Sequence, residues 1–390
     1  MRIGHCVRSL DPADGGLPVI AQRLAAAQSL AGEDTLLLTH DLPSRAATLL
    51  ASTRVAGIDR VRHRAVPTLH PLAIVPEEKW GRSVSQAIEG IDFLHMHGIW
   101  DPMLAGIASA AQRQGVPYAV APQGMLDPWS LRQRALKKRL ALLIRYRTMV
   151  ERAAFVHALH EEEARFARKT APRCRTEILR NGISLEEFPL AASDPKADQE
   201  DYFEHRFGWP GTRTLLFLGR LHHKKGLDLL AEAFARLLLR RSDARLVVAG
   251  PDEGDRSAFE RRIRALRLSD KVAVPGPIYG PEKYAALRSA ACFTLPSRQE
   301  GFSVAVLEAL ACQTPVVITH ACHFPEVEQC GAGYVVGNDP VEHANAFDRI
   351  LADDDERSRR GRAGRTLVSS KYTWDHIARS AVALYHQYLN

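Results

Sequence analysis

Residues 297–317 read SRQEGFSVAVLEALACQTPVV. ACFTLPS (291–297) leads into this stretch and TPVVITH (314–320) runs out of it. Both are short, continuous apolar runs, as expected of parallel strands covered on both faces. Between them Ser303 is placed to cap a helix carrying Val304 to Cys312. Strand, loop, helix, strand in that order is a right-handed βαβ unit. The amides of Gly301, Phe302 and Ser303 then lie at a helix N-terminus, a natural binder of anions and hydroxyls. Glu300 stands just before the helix. Glu308 lies inside it among Val304, Val306, Leu307 and Leu310. A carboxylate so placed needs donors, and either the vicinal hydroxyls of a ribose or an internal Lys or Arg would supply them.

Working outward, the same alternation continues. TRTLLFLGR (212–220), ARLVVAGPD (244–252), KVAVPGPI (271–278) and GYVV (333–336) read as further strands, separated by helices such as GLDLLAEAFARLLLRR (226–241). The first half repeats the theme with RIGHCVRSL, DTLLLTH, IDFLHMHGIW, YAVAPQG, AFVHALH and TEILRNG as strands. Polar, proline-containing ASDPKADQEDYFEHRFGWPGT (192–212) interrupts the two series and reads as linker. The expectation is an α/β protein of two Rossmann-like domains facing across a deep cleft, with ligands at the carboxyl ends of the strands. Residues 1–184 form the first domain, 185–211 the linker and 212–370 the second. In 371–390, YTWDHIARSAVALYHQYL is an amphipathic helix with Trp374, Ile377 and Leu384 as anchors.

With 390 residues, 46% hydrophobic and 25% charged, the chain has ample material for two cores. No apolar run approaches the ~20 residues of a membrane span. MRIGHCVRSLDPADGG has no apolar h-region, which argues against Sec export and for a cytoplasmic location. Six scattered cysteines without a CxxC pair read as reduced thiols. Asp353, Asp354 and Asp355 read as a solvated helix end rather than a metal-holding DxD. His320, Cys322 and His323 do not have the spacing of a closed zinc site. No metal is expected.

The second constellation is FLGRLHHKKG (217–226). Gly219 ends a strand, and Arg220 and Lys225 flank a short loop before a helix. Two fixed cations beside helix-terminal amides suit a diphosphate, although a solvated basic loop has the same composition. His222, His223 and Lys224 are assigned to that solvated loop. In the first half, Gly15 and Gly16 allow close backbone approach at a helix start. His95 and His97, two apart on one strand, face the same side, and His97 at its carboxyl end would reach the cleft.

These segments together resemble the family 4 (group 1) retaining glycosyltransferases of the two-domain GT-B fold. GRLHHKKG, VVAGP, VAVPGPI, EGFSVAVLEALACQTPVV and GYVV carry the resemblance. Glu300 and Glu308 match the family's E-x7-E pattern, and Arg220 and Lys225 its diphosphate pair. The resemblance implies a nucleoside diphosphate sugar as co-substrate and no cofactor. Glu300, with backbone help from Gly301, Phe302 and Ser303, would hold the donor sugar, and Glu308 the ribose. The base would lie near Pro251 and Ile278, and Gly15 and Gly16 near the phosphate. Arg220, Lys225 and Glu300 would carry the chemistry. HMHGIW and the turn at Asn181 and Gly182 also fit. Gln123 stands where many members have a histidine, so a proton-shuttling side chain at that position is not implied.

The formal charge is +7. Between Leu131 and Arg152 eight basic residues meet only Glu151, so this one segment holds the whole surplus and the rest of the chain is balanced. On a continuous helix Arg134, Lys137, Lys138, Arg145 and Arg152 share one arc, opposite Leu136, Leu140, Leu143 and Ile144. Such a stripe suits either an anionic membrane surface or a solvated helix packing its leucines inward. No aromatic platform accompanies it, so nucleic acid is not expected as a partner. The expected acceptor is a glycan or lipid-linked sugar, with the protein peripheral at the inner face of the cytoplasmic membrane. A soluble acceptor is the alternative.

Overall fold

The apolar runs named above form strands because leucine, valine and isoleucine fill both faces of a sheet sandwiched between helices. The computed structural model describes residues 1–67, 77–133, 135–189, 202–211 and 213–389. Its chain divides into two units, Met1–Gly182 with Trp374–Asn390, and Ile183–Thr373.

The first unit holds strands β1 (Arg2–Cys6), β2 (Asp34–Thr39), β3 (Arg62–Ala65), β4 (Phe93–His97), β5 (Tyr118–Ala121), β6 (Phe155–Ala158) and β7 (Thr176–Ile178). They form one parallel sheet in the order β3-β2-β1-β4-β5-β6-β7. Six of these strands were expected. The seventh, β3, reads RHRA, and nothing in so basic a run marks it as a strand. It survives because it is an edge strand, with Arg62 exposed and ion-paired to Asp34.

The second unit carries β8 (Arg213–Leu218), β9 (Ala244–Ala249), β10 (Val272–Gly276), β11 (Cys292–Leu295), β12 (Val316–Thr319) and β13 (Gly333–Val336). Their order is β10-β9-β8-β11-β12-β13, again parallel. Each sheet therefore has a point where the strand order reverses, between β1 and β4 in one and between β8 and β11 in the other. At such points loops diverge and leave room for a ligand.

The C-terminal helix (Trp374–Gln387) belongs to the first unit. Trp374 and Ile377 are buried with Ile3, Leu24, Phe93 and Phe155, as expected of anchors. Leu384 is only partly buried. The deeper anchor is Tyr385, fully buried and stacked on Phe93 with ring centroids 4.2 Å apart. In the stretch read as linker, residues 190–201 lie outside the described residues. The described parts belong to the second unit. There Tyr202–Phe207 is a helix that buries Phe203, and Phe188 packs edge-on against Tyr284.

The basic segment differs from a continuous helix. It runs as Pro128–Arg132, Ala135–Ala141, a π-helical turn Leu142–Tyr146, and Arg147–Glu151. A π turn takes more residues per revolution, so the projected stripe slips there. The face turned inward carries Tyr146, Met149 and Val150. Leu136, Leu140, Leu143 and Ile144 are 83%, 59%, 75% and 71% exposed. All six cysteines are free thiols.

Candidate functional site

In the second unit, three loops converge because two glycines permit it. Gly250 follows β9, and a Cβ there would sit 1.8 Å from the Gly219 carbonyl oxygen. Gly226 has φ +68°, and its Cβ would sit 2.1 Å from the Pro296 oxygen. The loops after β8, β9 and β11 are therefore locked backbone against backbone. The loop after β8 is a single turn, His223–Lys225, in which the His222 ring accepts the Lys224 amide. Arg298 clasps Asp228 through two bonds of 2.8 and 2.7 Å, stitching the loop after β11 to the helix C-terminal to the turn. This clasp holds the Asp228 carboxyl below the usual carboxylate range.

The expected cations lie on this framework, each with a carboxylate partner. Arg220 is largely exposed and its Nη1 bonds both oxygens of Glu253 at 2.8 Å. Lys225 is well covered and pairs with Glu300, which also accepts the Ser297 hydroxyl at 2.7 Å. Glu308 pairs with Lys283 at 2.6 Å. The internal-cation reading of Glu308 is thus realised, by a lysine from the helix Gly280–Ser289. Glu253 and Lys283 carry no motif of their own, and sequence reasoning missed both.

Gly301, Phe302 and Ser303 precede the helix Val304–Ala311. Ser303 occupies the cap position, but its side chain makes no capping bond, contrary to expectation. Phe302 turns inward onto Phe324 and Tyr372. Pro251 is exposed beside Gly219, whereas Ile278 is buried in the loop after β10. A base contact at Ile278 therefore falls to its backbone. Asp353 caps the helix Asp354–Lys371 by accepting two amides, so the acidic run is a helix end, as read.

In the first unit Gly15 has φ +105° and Gly16 opens the helix Gly16–Leu30. A Cβ at either would meet nothing within 4 Å. His97 lies at the carboxyl end of β4, but it is buried rather than open, with its ring stacked on His95 at 4.6 Å. Gln123 has φ +52°, and its Oε1 accepts from Asn181 at 3.4 Å. Its loop is pinned by Glu163, a residue sequence reasoning did not single out. The Glu163 carboxylate accepts the Gly124 and Leu159 amides at 2.6 and 2.7 Å, while burial pushes its pKa up. Of the basic stripe, Lys137 and Arg145 are exposed. Lys138 is tied to the Ser130 carbonyl at 2.6 Å and sits over the Trp100 ring. Arg152 bonds Gln112, and Arg134 lies outside the described residues.

Known proteins share this arrangement. Residues 199–367 match the family "Glycosyl transferases group 1", and residues 15–182 match "Glycosyl transferase 4-like domain". The chain belongs to the group 1 glycosyltransferases. Within that family it is 26% identical to a GDP-mannose:cellobiosyl-diphosphopolyprenol alpha-mannosyltransferase of Xanthomonas campestris, over 99% of this chain and 97% of that protein. It is 30% identical to an uncharacterized glycosyltransferase, MJ1607, of Methanocaldococcus jannaschii. That match spans 55% of this chain and about half of the relative, 54% of its length. Anabaena Alr3699/HepE in complex with UDP-glucose superimposes with a TM-score of 0.72 at 18% identity, over 99% of this chain and 100% of that one. The two parallel-sheet units are thus those of a GT-B glycosyltransferase.

Proposed function

We propose that this chain is a retaining glycosyltransferase that moves a sugar from a nucleoside diphosphate sugar to a glycan or lipid-linked acceptor. The work belongs to polysaccharide or glycolipid synthesis at the cytoplasmic membrane face and uses neither metal nor cofactor. The observation that carries this reading is the rim of the second sheet, where Arg220, Lys225, Glu300 and Glu308 occupy loops locked together by Gly226 and Gly250. The donor's diphosphate takes Glu253's place on Arg220 and lies beside Lys225. Glu300 turns from Lys225 to the sugar hydroxyls, and Glu308 keeps Lys283 on one oxygen while offering the other to the ribose.

As the bond from anomeric carbon to phosphate breaks, negative charge grows on the leaving phosphate. Two fixed cations stabilise that charge more than the ground state, which is where a rate gain arises. The departing phosphate oxygen can take the acceptor's proton on the same face of the sugar, giving retention without a protein base. Gln123, which cannot shuttle a proton, is compatible with that route.

The acceptor class draws support from the Xanthomonas relative, whose name specifies a diphosphopolyprenol-linked acceptor. The exposed leucines beside Arg132, Lys137, Arg139 and Arg145 support a membrane position. No helix among the described residues is long and apolar enough to cross a membrane.

Thermal stabilisation by a panel including UDP-glucose and GDP-mannose, then turnover in EDTA and NMR of the product's anomeric configuration, tests the proposal. Stabilisation by at least one donor, EDTA-resistant transfer and a retained configuration are expected. Inversion, or turnover that returns only with a divalent ion, would contradict it.

A further inference from the structure

Four histidines from three strands lie together inside the first unit: His5 on β1, His95 and His97 on β4, and His157 on β6. Each is at most 2% exposed. Their ring nitrogens, with Tyr385 and Gln28, form one directed hydrogen-bonded chain. It starts at the Leu179 carbonyl, which only accepts, so His157 must donate from Nε2. Its Nδ1 then accepts from His95 Nε2 at 3.0 Å. His95 Nδ1 accepts the Tyr385 hydroxyl at 2.5 Å, and the Tyr385 oxygen accepts the Gln28 amide at 3.3 Å. Gln28 Oε1 accepts from His5 Nε2 at 2.7 Å, and His5 Nδ1 from His97 Nε2 at 3.1 Å. Each link forces the next, and the chain ends at His97 with a bare Nδ1 that has no partner among the described residues.

That open end lies at the carboxyl end of β4, beside the reversal point of the sheet, where α/β folds take ligands. On β5, paired with β4 through His97 and Ala121, Gln123 comes two residues later. Its left-handed backbone is unusual for a residue with a side chain, and such outliers gather at functional sites. Gln123 Nε2 is also buried without a partner. An orphan acceptor and an orphan donor at neighbouring strand ends match one hydroxyl group, which donates to His97 and accepts from Gln123. The cover over this strand end includes Leu17 and Met125, half-buried side chains that pack over Gly98 and can rotate aside.

We infer that His97 and Gln123 form a sugar-hydroxyl subsite of the first unit, and that His5, Gln28, Tyr385, His95 and His157 are positioning residues fixing His97 as the Nε2-protonated tautomer. The inference rests on the transferase reading above. A metal held by His5, His95 and His97 is the competing use of these rings, which lie close enough for it. Five of their six nitrogens are already hydrogen-bonded, and the group contains no carboxylate to balance an ion.

Nitrogen-15 NMR of the full chain, labelled at histidine, tests this at pH 7. All four buried rings should be neutral and protonated at Nε2. A mixed or Nδ1-protonated His97, or stoichiometric zinc uptake at these rings, would overturn the inference. On adding UDP-glucose, GDP-mannose or cellobiose, His97 Nδ1 should shift upfield with the saccharide that fills the subsite, while UDP and GDP alone leave it in place. A shift with a nucleotide sugar assigns the hydroxyl to the transferred sugar, and a shift with cellobiose assigns it to the acceptor. No shift with any saccharide, in protein that still binds nucleotide, removes the subsite and leaves the transferase reading standing. Failure to bind any nucleotide removes that reading instead, and the tautomer test stands by itself. Tyr385→Phe keeps the stack on Phe93 but cuts the chain. It should mix the His95 tautomers and weaken saccharide binding about tenfold, with nucleotide affinity unchanged. His97→Phe should lose the saccharide response, and His97→Asn, whose carboxamide oxygen can stand in for Nδ1, should restore part of it.

Discussion

Lys225 and Glu300 neutralise one another in a well-covered position, so each is poised to exchange its partner for a piece of substrate. Glu300→Gln removes the charge that orients Lys225 and an acceptor for sugar hydroxyls. It should lower transfer about 100-fold or more, with the melting temperature within a few degrees of wild type. Steady-state rates on the stabilising donor check this. Lys283→Met leaves Glu308 half-buried with no cation, so donor KM should rise about tenfold while kcat stays within twofold. Equal losses in both parameters would mean that Lys283 serves the reaction itself. The spacing of Glu300 and Glu308, like that of Arg220 and Lys225, is a local property and was legible in the sequence. Their partners Glu253 and Lys283 come from other elements, and no local pattern marks them.

At the scale of elements, backbone contact between loops decides the site. Gly226→Ala places a methyl against the Pro296 carbonyl at an unfavourable positive φ, and should destabilise the protein by about 2–4 kcal/mol in denaturant titration. In the basic segment the periodicity of a continuous helix predicted the wrong inward face, because a π turn at Leu142–Tyr146 rotates the residues C-terminal to it. Leucines that one sequence reading packed inward stand in solvent beside arginines. Leu140→Asp with Leu143→Asp should therefore leave stability unchanged and cut sedimentation with vesicles of 30 mol% anionic lipid about tenfold or more, as ~1 kcal/mol per basic residue alone gives only partial binding. Undiminished sedimentation would place the membrane contact elsewhere.

For the whole molecule, the histidine chain sets a pH limit on stability. Burial pushes His5 and His157 down to about 4 and His95 and His97 well below 6.5. An unfolded histidine binds a proton below about 6.5 while these folded ones do not, so the unfolded state takes up more protons between those values. Stability is therefore complete above pH 6.5 and falls on acidification, by up to about tenfold in the folding equilibrium per pH unit for each ring. Glu163, whose carboxyl is raised by burial, pulls weakly the other way. Urea midpoints at pH 7.5, 6.0 and 5.0 should fall steeply, and a flat profile would contradict the neutral chain.

Six of the seven strands of the first sheet and all six of the second were legible, because a buried parallel strand needs a continuous apolar run and that need is local. β3 was not, since an edge strand is specified by the neighbour it pairs with. The E-x7-E pattern, the cation pair and the glycine turns likewise arise from local geometry, and through them the family could be read. Tertiary structure alone decided what faces what. It gave Glu308 its lysine, stood the leucines of the basic segment in solvent, and joined His5, Gln28, His95, His97 and His157 to a tyrosine near the other end of the chain. Those contacts bring together residues tens to hundreds of positions apart, and only packing specifies them.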